Sequence, residues 1–347
     1  MNLLELLRRL PKVELHCHLY GAVRKATFAD LAARHNAPIS AEQIDAWYTR
    51  ARKPWPTNNV LRALDEYLVR ADDDLYRLAF EYLEDAAPHG VRYAEFFWNP
   101  TATVLAGIPF ARAQAAMVRA IHDAEARFGI IGRVIPAIDR ERGEAAALEM
   151  VDWVVANRAA EVPGIGMDFD EAPHPPESYA EAYSRARAAG LHVTAHAGEN
   201  GVSWRNVATA IDVLHVERVE HGYTIVDSPE LVRRCVASGI VFTVVPTNSF
   251  YLRMLPDERW ALDHPIRTMG RLGLRLHPNT DNPILHKVTQ TDAWYMMMRE
   301  FGFGLDDVRG FMLNGLDAAW LDEDLREKWR REWIVEFDTL RAQLDTR

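Results

Sequence analysis

The chain has 347 residues, 48% of them apolar, which is enough for one sizeable buried core. A formal net charge of −10 repels a phosphate backbone, so a nucleic-acid polymer is excluded as a natural partner and a small, uncharged or weakly charged molecule is favoured. Two cysteines, Cys17 and Cys235, exclude a paired-cysteine zinc knuckle and fit a reducing, cytoplasmic compartment, and no apolar run approaches membrane-spanning length.

Taken in chain order, the opening MNLLELLRRL mixes Glu5, Arg8 and Arg9 into its apolar residues and reads as a short amphipathic helix, not a signal peptide. The first candidate strand is Val13–His16. Residues 27–90 then read as several helices, with a Trp/Tyr/Pro-bearing stretch at Trp47–Pro56. Further candidate strands are Val91–Phe97, Gly132–Ala137, Gly164–Asp168, His192–His196, Arg218–His221, Ile240–Val244 and Leu274–Pro278, each short and apolar as buried parallel strands are. Helical patterns at Ala111–Arg127, Glu144–Asn157 and Ser178–Ala189 separate them, and Gly90, Gly190, Gly239 and Gly273 stand just before strands. A last helix, Asp322–Gln343, packs outside. Eight strands alternating with helices predict a single α/β domain over 1–347, a (β/α)8 TIM-type barrel whose 27–90 helical insertion follows the first strand and roofs the mouth. The competing open, doubly wound sheet needs a GxGxxG turn after a strand, and none is present.

The ionisable residues gather where strands end. His16 and His18 stand at i and i+2 of the first strand, so both imidazoles face one side. The fifth strand ends in His196-Ala197-Gly198-Glu199, the sixth in Glu220-His221-Gly222 and the eighth in Asn279-Thr280-Asp281-Asn282-Pro283. Barrel enzymes place their chemistry on that rim. Any one piece has an ordinary structural explanation: a strand-end histidine is commonly just hydrogen-bonded, and Asp-Asn-Pro commonly starts a helix. His215, His264, His277 and His286 are assigned to structure on that ground. The conjunction is different. Three histidines and an aspartate make a nitrogen–oxygen ligand set suited to one zinc ion per chain, and Glu199 with His221 supplies an acid and a base.

At these residues the chain resembles the adenosine deaminase family. PKVELHCHLYGAVRKATFADLA resembles its opening, and HAGE at 196–199, RVEHGYTI at 218–225, VPTNS at 245–249 and NTDNP at 279–283 resemble its later motifs, in order and across nearly the whole chain. The resemblance implies the zinc-bearing barrel with a helical insertion after the first strand. It implies that His16, His18, His196 and Asp281 hold zinc, that Glu199 donates a proton to ring nitrogen 1, that His221 orients the attacking water, and that Asp281 also takes up a proton. The implied reaction is hydrolytic removal of ammonia from an adenine-type purine, base or nucleoside.

Four positions depart from the family's adenosine enzymes. Tyr20 stands where an acidic residue is usual, Asn282 where the last motif has a second Asp, and Phe97 where an Arg is common. Asp168-Phe169-Asp170-Glu171, followed by Pro175-Pro176, resembles the adenine-specific branch that acts on the free base. Tyr20, Asp168, Glu171 and Asn282 are therefore the expected substrate-binding residues, and the free base or an N6-substituted form of it is expected to be accepted at least as well as adenosine. The Asn282 amide always carries donor hydrogens for ring nitrogen 7. Two alternatives share the motifs: a deaminase of another amino-heterocycle such as a pterin, or a non-catalytic nucleoside-binding relative, against which the intact Glu199 and His221 argue. The cysteine-ligated deaminases are excluded, because no PCxxC follows His215-Val216-Glu217.

Overall fold

A computed structural model describes residues 1–51, 53 and 57–344. Eight parallel strands lie in sequence order: β1 (Lys12–His18), β2 (Val91–Trp98), β3 (Ile131–Asp139), β4 (Gly164–Asp168), β5 (His192–Ala197), β6 (Arg218–His221), β7 (Val241–Val244) and β8 (Arg275–Pro278). The sheet curls until β8 meets β1. There the closure rests on a single parallel bridge between Cys17 and Asp281, with the Asp281 amide donating to the His16 carbonyl (2.8 Å) and the His18 amide donating to the Asp281 carbonyl (2.7 Å). The seam of the barrel is thus stitched by residues singled out as functional in the sequence.

The predicted strands fall within two residues of these bounds, and so do the predicted helices, observed as Phe110–Phe128, Gly143–Ala156, Ala180–Ala188 and Glu323–Arg341. Gly90, Gly190, Gly239 and Gly273 have φ of 79°, 73°, 73° and 81°, the left-handed turn that lets a helix stop and feed a strand with no Cβ penalty. Between β1 and β2 the described chain is mainly helical: Lys25–Arg34, Ala41–Trp47, Asn58–Ala63, the wide turn Leu64–Leu68 and Asp72–Ala86. Of the Trp47–Pro56 stretch, residues 52 and 54–56 lie outside the described residues. Both cysteines are buried and free. No described helix is long and apolar enough to cross a membrane.

One interior layer of the barrel is charged instead of aliphatic. Arg218, fully buried, sets its Nη1 2.6 Å from Glu95 and its Nε 2.9 Å from Glu220. Such a group survives burial only when its partners are complete. Here Thr194 (2.7 Å) and Thr243 also donate to Glu220, and the far carboxylate oxygen lies 3.3 Å from Nδ1 of His16. The layer forms a rigid floor under the first histidine of the site.

Candidate active site

The strand ends converge on a cavity of about 390 Å³, within the range of pockets that enclose small organic ligands. His16, His18 and His196 bring ligand nitrogens within 4.8 Å of one another, and His16, His221 and Asp281 form a second such group. Asp281 Oδ1 is 3.3 Å from Nε2 of His18 and 3.9 Å from Nε2 of His16. His221 and Asp281 both hold φ above 60° (68° and 61°), a left-handed backbone uncommon outside glycine, and such strain concentrates at functional sites.

The outward nitrogens of the three imidazoles are already engaged. Nδ1 of His16 lies 3.2 Å from the Thr243 carbonyl, Nδ1 of His196 donates to the Met167 carbonyl at 2.9 Å, and Nδ1 of His18 faces Asp168 at 3.4 Å. With those protons fixed outward, the Nε2 lone pairs point inward. Nε2 of His16 is buried with no partner, and the Nε2 atoms of His18 and His196 face each other at 3.1 Å. Two converging lone pairs repel unless a cation sits between them. The three nitrogens with the Asp281 carboxylate therefore fit a zinc site, whose ligands would be neutral imidazole and ionised carboxylate. Burial favours the neutral state in two of the three rings, holding His16 down at about 4 and His196 well below its ordinary range; in His18 burial is outweighed by the Asp168 hydrogen bond and the Asp281 charge, which raise it.

Glu199 enters the cavity beyond this cluster. Burial, then the Asp281 and Glu171 carboxylates, push its carboxyl up to about 8, so it keeps its proton at neutral pH. Asn248 Nδ2 donates to its Oε1 at 3.1 Å, and Nε2 of His221 stands 3.7 Å from its Oε2. Nδ1 of His221 lies 3.2 Å from the Tyr223 hydroxyl, which itself donates to the Val245 carbonyl. That chain fixes the tautomer, leaving Nε2 of His221 a free acceptor turned to the cavity.

Of the four expected substrate-binding residues, Tyr20, Asp168 and Asn282 line the cavity. Tyr20 is buried, with its hydroxyl unpartnered. Asp168 accepts from Asn99 Nδ2 at 2.7 Å and supports His18. Asn282 Nδ2 donates to Asp281 (2.6 Å) while its Oδ1 has no partner; Gly21 makes room for it, since a Cβ there would fall 2.0 Å from that oxygen. Glu171 is the correction. Its buried carboxylate does not line the cavity but accepts the amides of Gly198 (2.9 Å) and Glu199 (3.3 Å), clamping the loop that carries the acid. His286, assigned to structure from the sequence, lines the cavity beside Thr247 and Ser249; it sits one helical turn after Asn282, and that spacing was the available signal. His264 and His277 are buried in backbone contacts. Arg140, not anticipated, donates to the carbonyls of Asp168 (3.0 Å) and His196 (2.6 Å), tying the ends of β4 and β5 together.

Comparison with known proteins gives one consistent result. The adenosine deaminase family model matches residues 11–334. An adenine deaminase from Chlorobium luteolum is 31% identical over 317 residues, covering 90% of each chain. Among solved structures, a zinc-bound amidohydrolase from Burkhoderia ambifaria is 58% identical with a TM-score of 0.97, covering 98% of this chain and 93% of its own. The adenine deaminase from Arthrobacter aurescens is 27% identical with a TM-score of 0.85, covering 95% and 99%.

Proposed function

The chain belongs to the adenosine deaminase family, and we propose that it is a zinc-dependent hydrolase that removes the exocyclic amino group of adenine as ammonia. The observation that carries the reading is the facing pair of Nε2 lone pairs on His18 and His196, with the orphaned Nε2 of His16 and the Asp281 carboxylate beside them. A zinc ion, which these four residues would hold, would lower the pKa of water enough to make a nucleophile available near neutrality.

The remaining work falls to side chains. Glu199, still protonated at neutral pH, donates to ring nitrogen 1, which draws electron density from carbon 6 and stabilises the tetrahedral adduct. Asn248 fixes the acid's second oxygen so that the proton is held toward the ring. His221, its Nε2 a free acceptor, orients the attacking water and takes its proton. Asn282 meets ring nitrogen 7 with an amide hydrogen. Tyr20 fills the place where a sugar-binding carboxylate stands in adenosine enzymes, which favours the free base. The test is kcat/KM for adenine and adenosine side by side. A base preference of about tenfold or more is expected from the missing sugar contact, and a clear preference for adenosine overturns the choice of substrate.

A further inference from the structure

In the proposed pose Glu199 meets ring nitrogen 1 and Asn282 meets ring nitrogen 7, and these residues follow β5 and β8. Carbon 6 lies on the short arc between them, toward His221 at the end of β6. The long arc of the closed barrel runs from β8 through β1, β2, β3 and β4 to β5. The far perimeter of a purine follows the same order. From nitrogen 7 it passes through carbon 8, nitrogen 9, carbon 4, nitrogen 3 and carbon 2 to nitrogen 1. Ring nitrogen 9 therefore faces the ends of β1 and β2. In free adenine that nitrogen carries a hydrogen; in a nucleoside it carries the sugar.

Asn99 stands directly after β2 and lines the cavity. Its Nδ2 donates to the Asp168 carboxylate at 2.7 Å and to the Ala137 carbonyl at 3.3 Å. Both partners are acceptors only, so a flipped amide would set oxygen against oxygen, and the orientation is fixed. Both amide hydrogens are thus spent. Among the described residues nothing donates to Oδ1, and it is not sealed inside the protein, so a bare acceptor stands open to the cavity. The other polar side chains at these strand ends are committed elsewhere. The Tyr20 hydroxyl is sealed in the interior, Asp168 turns its oxygens to Asn99 and His18, and Glu141 pairs with Arg62 and accepts the Asp170 amide. A ring filling the cavity strips water from Asn99 Oδ1, and only a donor on the ring makes good that loss.

Building on the purine-deaminase reading, we infer that Asn99 is a specificity-determining residue whose Oδ1 accepts the hydrogen on ring nitrogen 9 of the free base. A nucleoside has carbon at that place and leaves the acceptor unanswered. The same amide supports His18 through Asp168, so recognition of the base and order at the histidine cluster share one side chain.

The test is equilibrium binding, to the zinc-loaded protein, of two ligands that differ at one place. 7-Deazahypoxanthine keeps the N–H at ring position 9 and, lacking nitrogen 7, cannot move it. Its furan counterpart has oxygen in place of that N–H and is otherwise the same. Calorimetry is expected to show the N–H ligand binding about tenfold or more tighter. In Asn99→Leu, of similar volume but with no acceptor, the gap collapses because the N–H ligand weakens, while zinc content and the furan's affinity hold. In Asn99→Asp, which keeps an oxygen there, the gap remains. Equal affinities in the unaltered protein overturn the inference, as does a gap that survives Asn99→Leu. Ammonia release from adenine, measured on the same preparation, separates the two readings. No release defeats the deaminase, whereas release together with equal affinities defeats the role of Asn99 alone.

Discussion

The cavity has two walls built in different ways. The wall around His16, His18, His196 and Asp281 grows from strand ends, with each outward ring nitrogen engaged and a buried Glu95–Arg218–Glu220 layer beneath. The facing wall is assembled from the helical insertion, which contributes Thr57, Asn58 and Leu61, and from the segment after β7, which contributes Asn248, Ser249, Phe250 and Arg253. The first wall is over-determined by backbone pairing and cannot shift without opening the barrel seam. The second is held by a few side-chain contacts. The difference teaches that the residues proposed for chemistry sit on strand ends, while the roof of the cavity comes from the insertion and the segment after β7.

That division is broken most sharply at Glu199. Glu199→Gln is expected to lower kcat by about 10²–10⁴-fold while leaving bound zinc and thermal stability unchanged, because an amide cannot supply the proton to ring nitrogen 1. Metal analysis and turnover measured on the same preparation check it. An unchanged kcat removes Glu199 from the acid role.

Glu171 sharpens the comparison, because it belongs to the chemical wall without touching the cavity. Glu171→Gln leaves one of two clamped amides poorly served and removes a negative charge beside Glu199. An effect of about tenfold on kcat with little change in KM is expected. The sign of the pH effect follows: the Glu171 charge raises the Glu199 pKa, so its removal lowers it, and the alkaline fall in activity moves to lower pH. A KM effect with an unmoved pH profile would mean that Glu171 acts on substrate directly.

The smallest effect is expected in the insertion. Asp65 is buried, with Oδ1 unpartnered, and burial pushes its carboxyl up to about 7 against the pull of Arg142. A folded pKa above the unfolded one means that the native state binds the extra proton, so this group's contribution to stability is lost as pH rises from about 4 to 7. Asp65→Asn is therefore expected to flatten that slope and to stabilise the protein by about 1–3 kcal/mol at pH 8. Denaturant unfolding at pH 5 and pH 8 checks it, and equal effects at the two pH values contradict it.

Much of the chemical wall was legible in the sequence. Buried parallel strands leave short apolar runs, and HxH, HAGE, EHG and NTDNP all stand where those runs end. The other features left weaker traces. Glu171 binds backbone amides, so no complementary side chain in the sequence announces its partner, and a resemblance alone placed it at the substrate. Arg140 likewise pins two strand ends through carbonyls. The Arg218/Glu220 pair did carry a signal, since i and i+2 on one strand face the same way, but their inward burial depends on Glu95 from β2.

The most direct test of the zinc-dependent mechanism is to return zinc in steps to metal-free protein while following ammonia release from adenine. The expected result is an activity that is negligible without metal, rises in proportion to zinc added and saturates at one ion per chain. Full activity in verified metal-free protein, or saturation only at two ions per chain, would contradict the assignment of His16, His18, His196 and Asp281 as a single zinc site serving Glu199 and His221.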